Sequence, residues 1–448
     1  MSPGYTYLTL GQARTELANR LQDPTYAYWT AQELSSLIIE AVHAWQALTA
    51  AYKQRATLTL SPGGGVDGSS FYDLTALPSG ILRYSVTDQQ LISMVLTHLL
   101  EPPLISGWTG TGQFAFSQIT QALQNRLNRF LGDTGCVITR NLQFFLAAPP
   151  QSTRTFLPEA VLDIRRAAWI NVDAAYSVLW RDDEYAMQAF LNSGAVTPAD
   201  PPLVWGKFTI PPVGIQLYPS PLNDGQVETL VVTSGAQIGQ TPAAVANTPV
   251  ILGIPDDFCW GLTFGTLSDL FSADGPGKDA ARAEYAESRY QEAVELMRLN
   301  PLLLQTQINE VPIWSGSVFE MDAYLSNWQA APGEPEFAGM AGRNLVAFGA
   351  TPNDIFSATV DVVSNIPVPT SDASPLQVNR GAIDPLLDYA QHLASIKLGA
   401  AEVASTQKLR QNFLVNAALE NARITKGSFY KSALTAPVFR QQAEVPRI

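Results

Sequence analysis

The side chains that could move protons or hold metals are few and scattered. His43, His98 and His392 are the only histidines. The first two fall within amphipathic helical patterns and the third lies beside Leu393 of a heptad-like seam, so packing or surface placement is expected rather than catalysis. Cys136 and Cys259 are far apart and form no CxxC pattern, so no zinc site of the usual spacing can be written. Both read as buried free thiols of a protein made in a reducing cytoplasm. Asp182-Asp183-Glu184 is the densest acid cluster, but consecutive helical residues do not face one ligand, and it reads as a solvated helix start. Gly63-Gly64-Gly65 and the glycines from Gly107 to Gly112 lack both the GK[ST] ending and the GxGxxG spacing of phosphate cradles, so they read as loops. No serine sits in a GxSxG elbow. Asp256 and Asp257 read as helix-start residues, and Arg165-Arg166, flanked by apolar strand residues, is expected to reach a subunit contact or an acidic partner. Trp314, Phe319, Tyr324 and Trp328 have ring faces that could stack bases, yet with no Lys or Arg nearby they read as plugs for protein pockets. No catalytic, cofactor-binding or metal-binding set emerges, and the expectation is a protein that is not an enzyme.

Composition points the same way. Of 448 residues, 46% are apolar, 10% aromatic and only 15% charged, against about 25% charged in an ordinary soluble domain. Such a chain is expected to cover much of its surface with partners, because aromatic residues are enriched in interfaces. The net charge of −13 argues against gripping nucleic acid, since duplex affinity comes largely from Lys and Arg. The segment 425–448 differs: Lys426, Lys431, Arg440 and Arg447 against Glu444 give a local +3 and leave −16 for the rest. No apolar run approaches the roughly eighteen residues of a membrane span. Met1-Ser2-Pro3-Gly4-Tyr5 lacks the basic and apolar regions of a secretory signal, so an unexported, membrane-free protein is expected.

The elements that must position these residues are organised around 254–300. Pro255 suits a first helical turn, Asp256 and Asp257 complement its dipole, and from Phe258 to Phe271 the chain is apolar nearly all round, as a buried helix is. Gly275 and Pro276 stop it. The next helix carries Ala286, Tyr290, Ala293 and Met297 on one face, with Arg289/Glu292 and Glu295/Arg298 expected on its wet face. Upstream, the capping boxes Thr9/Gln12 and Thr30/Glu33 start helices over 10–22 and from about 31, with Trp29 stapled onto Leu34. Alternation over 56–61 predicts a strand. Thr87/Gln90 caps a helix over 88–101, and another follows over 116–131. Strand-like runs fill 137–169 and 204–233, with a short helix expected over 179–192. The 302–308 stretch reads as a further helical piece, and 312–381 is rich in Gly, Pro, Ser and Asn, as a segment draped over a neighbour would be. Leu386, Tyr389, Leu393, Ile396, Ala400 and Val403 then space a heptad-like seam, with a hinge near Gly399 or Ser405 and a last helix to about 422.

The hairpin "IPDDFCWGLTFGTLSDLF…ARAEYAESRYQEAVEL" resembles a segment recurrent in phage head-to-tail adaptor (connector) proteins, where it follows a β region and completes a bundle with the first two helices. The opening "TELANRLQD…YWTAQELSSLIIEAVHAW" is similar to that family's, as are Phe71-Tyr72-Asp73-Leu74 before a Leu77-Pro78 turn, and Ile215, Leu217, Pro219 and Pro221 with Gly225 and Leu230. The resemblance covers roughly the first three hundred residues. The helical pair over about 87–135 has no counterpart in the short adaptors and reads as an insertion. The wording "LLDYAQHLASIKLGAAEV" is similar to that of phage structural proteins.

The fold expected is α+β: a helical bundle made by an N-terminal helix pair and a proline-capped helical hairpin, with an inserted antiparallel β domain and a C-terminal extended and helical segment. Its parts are 1–55 (N-terminal helices), 56–252 (β-rich, interrupted at about 87–135), 253–310 (hairpin), 311–382 (extended intersubunit segment), 383–424 (C-terminal helices) and 425–448 (basic tail). The resemblance implies a virion structural protein at the neck. Copies would close into a ring, in that family usually of twelve, below the portal protein and above tail or nozzle proteins. Viral DNA would pass through the lumen without sequence-specific binding, sliding along acidic walls. Lys426, Lys431, Arg440 and Arg447 are the candidate portal-binding strap, and Trp314, Phe319, Tyr324 and Trp328 candidate partner-binding residues. One alternative is another tail, neck or minor capsid component that carries fibres. Another class, a virion-associated cell-wall hydrolase, would require paired carboxylates for which no motif is present.

Overall fold

The computed structural model describes residues 8–77, 81–100, 113–145, 154–173, 175–183, 201–208, 212–300, 302–325 and 327–435, the last helix from 422 onward as backbone only. Among them the protein is mixed α+β. Its helices are α1 (Leu10–Arg20), α2 (Ala31–Thr49), α3 (Asp88–Leu99), α4 (Phe116–Thr134), α5 (Pro242–Asn247), α6 (Cys259–Ser272), α7 (Ala280–Leu299), α8 (Val318–Tyr324), α9 (Ile383–Ser395), α10 (Ala400–Ser405) and α11 (Gln407–Thr435).

Local sequence explains the bundle these helices form. The capping boxes Thr9/Gln12, Thr30/Glu33 and Thr87/Gln90 each make both reciprocal bonds, satisfying amide hydrogens that a helix start leaves free. Trp29 and Leu34 enter one core, as the staple requires. Leu34, Leu37, Ile38, Ala41 and Trp45 of α2 share that core with Ala286, Tyr290, Ala293 and Met297 of α7 and Leu386, Tyr389 and Leu393 of α9. The chain breaks at Gly399, whose φ of +118° lies in the left-handed region that favours glycine, and again at Thr406. α6 and α7 approach closely because Gly261 faces Ala293: a Cβ on Gly261 would lie 2.4 Å from the Ala293 Cβ. Gly261→Ala is therefore expected to cost about 1–3 kcal/mol by overpacking. It would lower the urea midpoint without changing the denaturant slope, and an unshifted midpoint would show that the pair has room to part.

The pair α3 and α4 is no peripheral insertion into a β domain. Leu91, Ile92, Val95 and Leu96, with Ile119, Leu123, Leu127 and Phe130, lie in the same core as α6 and α7. Each helix carries a full apolar stripe, which other bundle helices cover, with Leu230 and Val232 of the Gly225–Thr233 strand joining the same core.

The expected single β domain over 56–252 is also divided differently. β1 (Lys53–Leu60) and β2 (Phe71–Asp73) belong to a seven-stranded sheet with β11 (Leu303–Ile308), β12 (Val311–Ser317), β14 (Phe337–Ala341), β15 (Leu345–Gly349) and β17 (Phe356–Val363). Its order is β1-β17-β11-β12-β14-β15-β2. β1 pairs along its length with β17, from Lys53 opposite Val363 to Leu60 opposite Phe356. Residues 302–308 are thus a strand and not a helix, and the hairpin ends at Leu299. The segment 311–382 likewise carries core: Ala338, Val346, Phe348, Ala358, Val360 and Val362 are buried. Pro312, Gly316 and Gly339 lie within its strands, and Gly342 turns between β14 and β15. β14 pairs locally with β15, whereas β15 also pairs with β2 and β17 with β1, far away in sequence.

β13 (Pro332–Gly333) and β16 (Thr351–Pro352) pair as a two-stranded sheet, and the remaining strands form two facing four-stranded sheets. β3 (Thr139–Phe145), β10 (Gly225–Thr233), β5 (Val161–Asn171) and β6 (Tyr176–Val178) make one, in that order. β4 (Arg154–Phe156), β9 (Gly214–Tyr218), β8 (Val204–Phe208) and β7 (Trp180–Asp182) make the other. Trp169, Trp205, Ile215, Leu217, Val227 and Val231 fill the space between them. The helix expected to begin at 179 is replaced by β7, where buried Leu179 is followed by the exposed Trp180; residues 184–200 lie outside the described residues. The Leu77-Pro78 turn at Pro78 and the glycines at 107–112 lie outside them too.

Candidate functional site

The densest set of titratable groups lies where α2, α7, α9 and α11 meet. Glu40 and His43 sit three apart on α2, Tyr285, Arg289 and Glu292 follow one face of α7, and Tyr389 and His392 sit three apart on α9. Arg410 comes from α11. Arg289 is 1% exposed; it donates to Glu292 and to the Tyr389 hydroxyl, and its guanidinium lies 4.4 Å from the ring centre of Trp260. Arg410 donates to Glu292 at 2.8 Å. Burial works against ionisation of Glu292, but Arg289 and Arg410 outweigh it and hold the carboxyl below its ordinary range. His392 bridges the Tyr285 hydroxyl at 2.7 Å and Thr406 Oγ1 at 2.8 Å. Burial, with Arg410 and Arg289 adding to it, pushes its pKa down to about 3, so it is neutral at physiological pH. His43 Nδ1 meets Asp257 Oδ1 at 2.6 Å. Glu40 is the exception to this pairing: it is 2% exposed, and neither oxygen has a hydrogen-bond partner among the described residues. Burial pushes its pKa up to about 7, against the pull of Arg289 and His43.

These groups could exchange protons, but among the described residues the void beside Asp257 has no room for a substrate. The neighbouring void, next to Asp257, Tyr84 and Arg343, measures about 10 Å³, enough for one water. The arrangement fastens helices: it ties α7 to the C-terminal α9 and α11 through charge.

A second buried network fastens the β modules to each other. Arg166 of β5 donates to both oxygens of Asp322 at 2.6 and 2.9 Å, to Gln329 at 2.7 Å and to Glu228 at 3.2 Å. Glu228 also accepts from Arg140 at 2.6 Å and from Gln329 at 2.8 Å. The acidic partner expected for Arg165-Arg166 is therefore found inside the chain. Arg165 itself donates to the Gly132 carbonyl at 2.6 Å.

The structure scatters the candidate partner-binding residues. Trp328 is buried, edge-on to Phe71 at 5.7 Å, with its indole donating to Asp322 at 2.8 Å. Trp314, Phe319 and Tyr324 are exposed to 39%, 53% and 73%, so they plug no pocket of their own chain; Trp314 and Tyr324 are 6.2 Å apart. The last helix runs to Thr435 instead of ending near 422, which places Lys426 and Lys431 on helical backbone. Arg440 and Arg447 lie outside the described residues.

No family model matches this chain, and no curated protein matches it significantly.

Three further placements differ from expectation. Arg289, assigned to the wet face of its helix, is buried; its spacing from Glu292 fits a surface pair equally well, and α9 and α11 cover it from more than ninety residues away. Asp256 does more than complement a helix dipole. It accepts from Ser85 N at 2.7 Å, Ser85 Oγ at 2.6 Å and Val86 N at 3.1 Å, holding the approach to α3. Glu40 went unnoticed in the sequence, although it interrupts the apolar run Leu37-Ile38-Ile39-Glu40-Ala41-Val42. Both cysteines are buried free thiols, as expected.

Beyond the buried networks, large apolar side chains reach solvent at many points among the described residues, Tyr28, Leu100, Ile251, Leu299 and Leu398 included, and they recur on three parts of the fold. The paired sheets expose Leu142, Phe144, Phe156, Val172, Trp180 and Leu203; the seven-stranded sheet and α8 expose Trp314, Phe319 and Tyr324; and α11 exposes Val415 and Leu419 on the side away from buried Phe413 and Ala417.

Proposed function

We propose that this protein is a virion structural component, the head-to-tail adaptor whose copies form a ring below the portal and line the DNA exit channel. The observation that carries the reading is the recurrence of exposed apolar side chains on the paired sheets, on the seven-stranded sheet with α8 and on α11, together with the resemblance of the N-terminal helices and the 254–299 hairpin to adaptor proteins. A ring subunit needs two different lateral faces, because a head-to-tail contact joins unlike surfaces, and a further face for the axial partner. The buried charge networks fit a subunit that transmits load between bundle and sheets. The acidic composition fits a channel along which phosphates slide.

The expected result is a ring-sized particle in native mass measurement and electron microscopy, either of the protein alone or on addition of the portal of the same virion. A species that remains monomeric under both conditions, across micromolar concentrations, would sink the reading. The exposed Phe144, Phe156 and Trp180 on the paired sheets favour a second reading, a neck component carrying fibres. Labelled subunits would then lie away from the portal.

A further inference from the structure

The patch on α8 has a chemical character of its own. Trp314 projects on the face of β12 covered by that helix, stacks near Phe337 at 6.3 Å and lies 6.2 Å from Tyr324. Phe319 is exposed on the same helix. Glu320 lies one turn before Tyr324 and caps α8 by accepting from Ser317 N at 2.7 Å, and the backbone of Glu336 accepts from the Trp314 amide at 3.1 Å, so two acidic residues belong to the elements that carry the rings. Between Arg298 and Arg343 the sequence has five acids, Glu310, Glu320, Asp322, Glu334 and Glu336, and no Lys or Arg. Asp322 is taken up by Arg166, and the others have no cation within their own stretch. An aromatic surface with negative borders suits an apolar segment bearing positive charge, which gains both buried area and cation–π attraction.

The chain contains one segment of that kind. Residues 425–448 carry Lys426, Lys431, Arg440 and Arg447 against Glu444, interspersed with Phe429, Tyr430, Val438, Phe439, Val445 and Ile448. α11 leads to it: Asn421 donates to the Leu48 carbonyl at the end of α2, and the helix then continues to Thr435, about 21 Å further at 1.5 Å per residue. Another thirteen residues follow.

We propose that the Trp314–Tyr324 surface receives the cationic C-terminal segment of a second copy of this chain. The contact joins unlike surfaces, so repetition propagates from copy to copy and closes when the rotation allows. It rests on the ring reading for its biological use, but not for its chemistry.

The test uses a labelled peptide of residues 425–448 and the full chain, diluted to where it is monomeric, with anisotropy as the readout. Binding is expected to weaken at least tenfold in Tyr324→Ala and in Glu336→Lys, and at least tenfold between 50 and 500 mM salt. Tyr324 is 73% exposed, so its removal leaves the core intact; unchanged circular dichroism and thermal midpoint check this. Absence of binding, or binding indifferent to both substitutions, overturns the proposal. So does a full chain that refuses the peptide at every dilution while Tyr324→Ala loosens its own tail to protease, because the segment then folds back within one copy. Peptide capture by added portal alone overturns it in favour of the portal strap. The two readings fail separately. Tyr324→Ala and Glu336→Lys chains that still close rings of the same mass leave the ring and remove this contact. Peptide binding by a chain that never assembles leaves the contact and removes the ring.

Discussion

Arg166→Ala is expected to remove about 3–5 kcal/mol of stability, the largest loss of any single substitution considered. The guanidinium is buried, and although burial opposes its charge, Asp322 and Glu228 hold its pKa above the ordinary value. Without it Glu228 keeps Arg140 and Gln329, but Asp322 keeps only the Trp328 indole and is left as a nearly unpaired carboxylate in a closed site. The cost comes from that stranded charge more than from the lost attraction. Because Arg166 belongs to the paired sheets and Asp322 and Gln329 to the segment beside the seven-stranded sheet, the substitution also loosens one module from the other. Equilibrium denaturation should show a lower midpoint. Hydrogen exchange should rise around Asp322 and Gln329 before the sheets themselves open. A loss below about 1 kcal/mol would mean that water replaces the arginine and that the clamp is not structural.

Glu40→Gln is expected to act in the opposite direction, with a gain that grows as pH rises from about 4.5 to about 7 and is complete above it. The folded protein raises the carboxyl from its ordinary 4.5 to about 7, so the folded state binds a proton more tightly than the unfolded chain does. The favourable contribution of the protonated form is complete below about pH 4.5 and is lost as pH rises through about 7, after which the buried charge is a fixed penalty. A displacement of that size corresponds to about 3 kcal/mol. Glutamine keeps the shape and carries no charge. It should therefore match the parent at pH 4 and exceed its stability by up to about 3 kcal/mol at pH 8, read from urea midpoints across that range. The groups that act on Glu40 set the size of the gain: Arg289 on α7 and His43 on its own helix favour its ionised form, and Tyr285 on α7 and Tyr389 on α9 interact with it. A parent and variant with the same pH profile would show that Glu40 is already neutral or already paired throughout.

Part of this protein is written in short-range pattern. Thr9, Thr30 and Thr87 with their partners three residues on predict helix starts that form as expected, because a capping bond closes within a few residues. The stripes of α2, α7 and α9 predict their buried faces for the same reason. The partition of the strands was not legible. Lys53 pairs with Val363 across three hundred residues, and alternation shows only that a strand has two faces, never which strand lies beside it. The abundance of Gly and Pro over 312–381 suggested draping, whereas the segment folds into short strands that take Pro312, Gly316 and Gly339 into the sheet itself.

The charges of the candidate site divide along the same line. The sequence by itself determined the capped and striped helices, the dispersed histidines and thiols, the charge-poor acidic body and the basic end, since these depend on composition and on contacts within one or two helical turns. It did not determine 179–192 and 302–308, expected as helices and found as strands among the described residues. The tertiary structure alone decided that Arg289, Arg166 and Glu40 lie in the interior and that Trp314 and Tyr324 do not. The burial of a charged side chain depends on which distant element covers it, and its free-energy cost depends on the ions and dipoles that element brings within a few ångströms.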